Sequence, residues 1–199
     1  KDGIRSGLLE NINVNTGLAL SNYVQTNEED LFEKAMWDNM KTGLRNNIAL
    51  STNTTIAKYF TFSLNANVDN VLTTKTLEKN YNPLTNEVDE TYKKNLAGYS
   101  TFSTSASLQT VLYGFLNFKK GSLVERVRHM VTPSFSFTYS PDFGEKSWGY
   151  FKDFYNSRGE ITKYSIFDGG IYGAPTAGLN QSIGFNISNN LEMKVKSDR

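Results

Sequence analysis

Residues 182–196, SIGFNISNNLEMKVK, alternate apolar and polar side chains with a period of two. Ile183, Phe185, Ile187, Leu191, Met193 and Val195 take the odd positions, where Asn189 is the one polar residue. The even positions hold Ser182, Gly184, Asn186, Ser188, Asn190, Glu192, Lys194 and Lys196. Such a period puts successive side chains on opposite faces of a strand. A helix would scatter the same apolar residues around its surface. Length constrains the fold further. A strand of this length, at about 3.3 Å per residue, spans about 50 Å, whereas globular strands run about 5–6 residues. A long strand with one apolar and one polar face suits a membrane barrel, with lipid outside and a wet interior. It also suits a large soluble sheet with one face on a core, and this strand alone leaves both open.

The same pattern recurs along the chain. A first strand is predicted over 8–24, with Ile12, Val14, Leu18 and Leu20 on one face. Residues 26–40 then lose the alternation. Thr26 and Glu29 have the spacing of a capping box, and Leu31, Phe32, Ala35, Met36 and Met40 fall on one helical side, so a short helix within a loop is expected. A second strand is predicted over 42–52 and, after a short connection at 53–59, a third over 60–72. In the third, Phe60, Phe62, Leu64, Ala66, Val68, Asn70 and Leu72 oppose Thr61, Ser63, Asn65, Asn67, Asp69 and Val71. Residues 73–96 are charged and patternless, with Asn82-Pro83 as a turn signal, and read as a long exposed loop. A fourth strand is predicted over 98–112 and a fifth over 127–139, joined by a tighter connection containing Lys119, Lys120 and Gly121. In the fifth, Val131, Pro133, Phe135, Phe137 and Tyr139 oppose Thr132, Ser134, Ser136 and Thr138. A long interruption at 140–179, rich in Gly and aromatics, precedes the last strand.

Six strands result, with connections running long, short, long, short, long. Bacterial barrels place short turns on the periplasmic side and long loops outside. A soluble meander has no reason to put all its long loops at one end. Six strands are too few to close a membrane barrel, and an open sheet would leave unpaired edges in lipid. The expected fold is therefore all-β: an antiparallel transmembrane β-barrel, to which residues 1–199 contribute about six long strands as one partial domain. The opening at Lys1 without a leader also reads as a processed or truncated piece. Aromatics mark two expected interfacial belts, Tyr59, Phe60, Tyr113, Phe115 and Phe118 at the short-turn end and Tyr23, Tyr99, Tyr139 and Phe143 at the other. Strand propensity alone also explains them.

Composition removes several function classes. The chain has no Cys, which excludes a disulfide framework or thiol metal site. Its 21 basic and 20 acidic residues give a net charge of +1, which supplies no electrostatic case for a nucleic-acid partner. No apolar run approaches the roughly 20 residues of a spanning helix.

No motif carries catalytic chemistry. His129 is the single histidine, between Arg128 and Met130, and is assigned a structural role. Asp142-Phe143-Gly144 has a kinase triplet's letters without a glycine-rich or catalytic loop, and is read as chance. Asn186-Ile187-Ser188 fits a glycosylation sequon but falls inside a predicted strand. No nucleophile–base set, phosphate loop or carboxylate pair is evident, so neither enzymatic activity, cofactor nor metal is expected. Pro133 cannot donate to a ladder and implies a strand bulge or a locally open pairing. Arg126, Arg128, Glu192 and Lys194, with Lys196, share the polar face at the short-turn end and are expected to form a luminal charge cluster. Phe62, Leu64, Phe135, Phe137, Ile183, Phe185 and Ile187 are expected to face lipid. Asn65, Asn67, Ser134, Ser136, Asn186 and Asn190 are expected to face the lumen as a hydrogen-bonding path for glycan.

A family resemblance rests on longer runs. These are RHMVTPSFSFTYSPDF over 128–143, YSIF over 164–167, GGIYG over 169–173 and NNLEMKVK over 189–196. Together they resemble the LptD family of lipopolysaccharide-assembly outer-membrane proteins, in the form found in Bacteroidota. The matching motifs cover roughly 114–197, and the first half agrees only in strand style. The resemblance implies a barrel of more than twenty strands in the bacterial outer membrane, with outer-membrane lipid around it and lipopolysaccharide as cargo. It also implies an LptE-like plug lipoprotein and a periplasmic jellyroll fed by Lpt bridge proteins. The family's jellyroll and structural cysteines are not visible in these residues. The expected function is to be part of a translocon that inserts lipopolysaccharide into the outer leaflet. A segment of another large barrel, such as a nutrient porin or protein-secretion channel, is the alternative, and a soluble or surface-attached sheet that binds ligands is a third.

Overall fold

The computed structural model describes residues 11–156 and 158–196. One antiparallel sheet carries β1 (Ile12–Tyr23), β2 (Lys41–Ile56), β3 (Phe60–Asn82), β4 (Glu87–Thr110), β5 (Leu112–Asn117), β6 (Val124–Ser140) and β9 (Asn180–Val195). A separate hairpin pairs β7 (Phe151–Tyr155) with β8 (Ile161–Ser165). The order across the main sheet is β1-β2-β3-β4-β6, with β9 on the far side of β6. β5 continues β4 along the same side of β6, so the sheet is a six-stranded meander. Among the described residues β1 and β9 each pair on one side only, and no ring closes.

Register shows how the alternation is used. One row crosses the whole sheet through Asn13, Ser51, Asn65, Ser105, Thr138 and Ser182. The adjacent row on the opposite face runs Ile12, Thr52, Leu64, Ala106, Phe137 and Ile183. The first face is called inner below, the second outer. A slip of one residue at any pairing would exchange the faces of every later strand.

Several expectations change. The stretch 73–96 is not a loop: β3 and β4 continue together to a tight turn at 83–86. The turn signal at Asn82-Pro83 is correct, since the Asn82 side chain accepts the Leu84 N–H at 3.0 Å. The alternation disappears because only the foot of this arm is covered, at Thr73, Thr76 and Leu77, while its farther part meets solvent and cross-strand ion pairs, Glu78 with Lys93 and Lys79 with Glu90, line it. A register shift between Thr73 and Lys75 marks where the patterned part ends. The helix expected over 26–40 shrinks to a 3-10 turn at Glu28–Asp30 and α1 (Lys34–Asn39). Neither start has a side-chain cap, so the capping box does not form, and Phe32 at φ 69° breaks the helical path. The part of the first predicted strand at 8–10 lies outside the described residues.

Pro133 does not make a bulge. Gln109 pairs Ser134 and Leu112 pairs Val131, so the offset is the same on both sides of the gap. The ladder simply opens for one step where Pro133 brings no N–H, while pairing with β9 continues through Pro133 and Ile187. The aromatic belts are also thinner than expected. Tyr113 and Phe115 stand opposite Met130 and Arg128, on the inner face, and Tyr99 and Phe143 are buried.

The buried core lies on the inner face. Val71, Tyr99 and Phe167 form it, with Ala97, Tyr150, Ile166 and Tyr172 packed around. Phe167 comes from the 141–179 segment, which folds back from the end of β6 across the sheet.

Candidate functional site: a polar inner face under a folded-in segment

The 141–179 insertion is held to the strands by specific groups. Beyond Ser140, β6 leaves β4 and exposes its edge. There Ser140 Oγ donates to Phe102 O at 3.2 Å, and the Tyr150 hydroxyl donates to Ser100 O and accepts from Ser100 N, both at 3.0 Å. These contacts cap an otherwise open strand edge. Farther across, Tyr99 OH donates to Gly173 O at 3.0 Å, and Leu77 N donates to Ile166 O at 2.7 Å. Tyr172 OH reaches β1, donating to Ala19 O at 2.8 Å. Gly43 permits this crossing. A Cβ there would lie 2.5 Å from Ile171 Cγ2 and 3.0 Å from the Tyr172 ring.

The base of the insertion is a latch built on Asp142-Phe143-Gly144, so that triplet has a structural use. Asp142 Oδ1 accepts the Gly178 N–H at 2.6 Å and the Gly144 N–H at 2.7 Å, joining both ends of the segment. The Gly178 N–H first, then that of Gly144, holds the Asp142 carboxyl below the usual carboxylate range. Phe143 is 2% exposed, its ring edge-on to Phe102 at 5.8 Å.

Between the insertion and the strands lies a cleft of about 280 Å³, lined in part by Arg45, Asn67, Asp69, Thr101 and Ser103. Asp69 Oδ1 accepts from Arg45 Nε at 2.9 Å and from Asn47 Nδ2 at 3.2 Å. Sequence reasoning missed Arg45 and Asp69 as a pair. Each stood on a polar face, but their meeting depends on a register set by the three-residue turn at 57–59.

The expected inner residues share one face. Asn65 and Asn67 stand opposite Ser105 and Ser103, and Ser134 and Ser136 stand opposite Asn186 and Gly184. Asn190 stands opposite Met130 on the same side. Asn67 borders the cleft, whereas Ser134, Asn186 and Asn190 lie nearer the short-turn end, outside it. Charged groups at the short-turn end pair with their neighbours. Arg128 pairs Glu192 at 2.5 Å, Lys194 pairs Glu125 at 2.7 Å, and Arg126 donates to Asn117 at 2.7 Å.

Among the described residues the outer face is largely uncovered. Phe135, Phe185, Ile183 and Ile187 are 47%, 69%, 71% and 50% exposed, and Leu64 and Phe137 are exposed as well. Phe62, in register with Leu108, is half-buried by its neighbours within the sheet. Several polar side chains on this face occur in bonded groups. Ser100 Oγ donates to Asn70 Oδ1 at 2.6 Å, Asn70 Nδ2 to Asn46 Oδ1 at 3.5 Å, and Asn46 Nδ2 to Thr16 Oγ1 at 3.2 Å. His129 Nε2 and Asn189 Oδ1 lie 3.1 Å apart. The lone histidine and the one polar exception in the last strand are thus each other's partners.

Long antiparallel strands, apolar on one face and polar on the other, define an all-β protein built on one antiparallel sheet. The chain belongs to the family described as LptD protein, which it matches over residues 1–199. That membership ties it to lipopolysaccharide transport and assembly and to a family of the bacterial outer membrane. No curated protein and no solved structure matches the chain.

Proposed function

We propose that this chain is an arc of an outer-membrane barrel wall through which lipopolysaccharide is placed in the outer leaflet. One observation carries the reading. Among the described residues, apolar side chains on all six strands line the face opposite the insertion, where only Phe102 meets its rings, and large exposed apolar surfaces mark an interaction with lipid or protein. In hydrocarbon every polar group needs an internal partner, and the bonded groups on the outer face meet that demand.

The proposed mechanism is non-covalent. The inner Asn, Ser and Thr rows offer hydrogen bonds to glycan, and acyl chains leave sideways into lipid. The insertion occupies the inner face at the long-loop end, which is taken as extracellular. The charge cluster at the short-turn end would face the periplasm, where Lpt bridge proteins deliver cargo. An LptE-like lipoprotein would seat on the uncovered inner rows nearby.

Site-specific photocrosslinking in cells tests this. A crosslinker at Asn65, Ser134 or Asn186 should capture lipopolysaccharide, and one at Phe185 should capture phospholipid but not glycan. The same capture from both faces would sink the assignment.

A further inference from the structure

A second cleft, of about 420 Å³, lies at the long-loop end, where the β1–β2 connection meets the foot of the β3–β4 arm. Its size falls within the about 300–1,000 Å³ of small-ligand sites. Lys41 opens β2, while Lys75 and Lys94 face each other across β3 and β4 just past the register shift. Tyr23, Gln25, Asn39 and Tyr92 complete much of the wall, and Asp38 is the one carboxylate lining it among the described residues. Asp38 is shared: its side chain pairs Lys94, and its main-chain oxygen accepts from Lys75 Nζ. Lys41 Nζ sits 5.6 Å over the Tyr92 ring.

Three ammonium groups against one carboxylate leave two positive charges concentrated in this cleft. Ordinary solvation would let such side chains spread apart. Here three strands and α1 hold their stems together, with tyrosine and amide groups between them. A phosphomonoester carries about −1.5 to −2 at neutral pH and offers three strong acceptor oxygens. It matches the surplus charge, and lysine binds phosphate as a point charge through charge-assisted hydrogen bonds. We propose that the Lys41, Lys75 and Lys94 cleft binds a phosphomonoester, on a sugar or on a lipid headgroup. The inference stands on the cleft alone and does not require the outer face to meet lipid.

The test uses the full-length protein. Calorimetry in detergent micelles measures binding of glucose 1-phosphate and of inorganic phosphate. Nanodiscs of phosphatidic acid against phosphatidylcholine supply the lipid arm. Binding of a soluble phosphate that weakens at least tenfold in Lys75→Gln, survives in Lys75→Arg and is unchanged in Lys120→Gln supports a sugar or free phosphate source. The same variant pattern seen only with phosphatidic acid supports a headgroup. Lys41→Gln, which does not touch Asp38, gives an independent reading should Lys75→Gln fold poorly. Absence of binding to all these probes, or binding indifferent to both Lys→Gln variants, overturns the proposal. Membrane insertion is measured separately by the outer-face substitutions below, so either idea can fail alone.

Discussion

The two faces of the sheet invert the rule of a soluble protein. The outer face holds the patterned apolar residues and is largely uncovered among the described residues, while the inner face is polar along most of its length and yet holds the buried core. Val71 and Tyr99 show how this arises. Both stand in odd, inner positions, and both are covered by Phe167 from the insertion. Hydrophobic burial therefore fixes the insertion to the sheet, while backbone ladders hold the sheet itself. The two faces should fail differently when perturbed.

The largest effect is expected on the inner face. Phe167 is 2% exposed and packs edge-on to Tyr99 at 4.7 Å. Phe167→Ala should cost about 3–5 kcal/mol of insertion docking. Limited proteolysis within 155–165 should accelerate while the strands keep their heat-modifiable gel mobility. Simultaneous loss of both would mean that the two faces are a single folding unit. On the outer face, Phe185→Arg should cost about 2–4 kcal/mol if it lies in the hydrocarbon, and its neighbour Asn186→Arg should cost far less. Folded fraction in lipid vesicles reads both, and equal sensitivity would reject the distinction between faces.

This difference also governs what could be read from residues alone. The alternation in 60–72 and 182–196 assigned both faces and the meander because a period of two survives wherever one face is uniformly apolar. It failed at 73–96, where β3 and β4 run on past the insertion, only Thr73, Thr76 and Leu77 of β3 are buried, and no continuous apolar stripe is needed. It gave no warning of the folded-in insertion. Gly43, Tyr99 and Tyr172 meet across long sequence separations, and nothing local in 140–179 says which strands it will cross. Asp142-Phe143-Gly144 could be dismissed as chance for the same reason, since the Gly178 N–H that gives Asp142 its role is remote in sequence. Ser134, Ser136, Asn186 and Asn190 share one face of the sheet, which the alternation alone could show. Their use in passing glycan is a matter of chemistry that periodicity cannot supply.

Two smaller perturbations sharpen the contrast. Gly43→Ala pushes a methyl into Ile171 and Tyr172 and should cost about 1–3 kcal/mol by overpacking. Release of the insertion, followed by Trp148 fluorescence, is the expected signal, with strand content unchanged. On the outer face, His129→Leu strands the Asn189 side chain and should cost about 1–3 kcal/mol. His129→Leu combined with Asn189→Leu should recover most of that loss in vesicles, since two apolar groups replace a bonded pair. A double variant no better than the single one would place His129 in water.

The last perturbation needs no substitution. Asp142 latches the insertion most strongly as a carboxylate, because an ionised oxygen is a better acceptor than a neutral one for the N–H groups of Gly144 and Gly178. Its carboxyl is held below its ordinary value of 3.8 in the folded protein. A group depressed on folding contributes stability that is complete above its unfolded value and lost as pH falls through the folded one. The latch should therefore be unaffected from neutral pH to about 5, weaken below 3.8, and fail below the folded value. Asp142→Asn keeps an oxygen acceptor without the charge and should remove this acid-dependent step while making the insertion easier to cleave at pH 7. The strands should not respond in this window if their stability resides in ladders and the outer face. Digestion of the insertion by pepsin across pH 2–5, compared with gel mobility of the wall, separates the two. A wall that loosens together with the insertion would show that the inner core carries both.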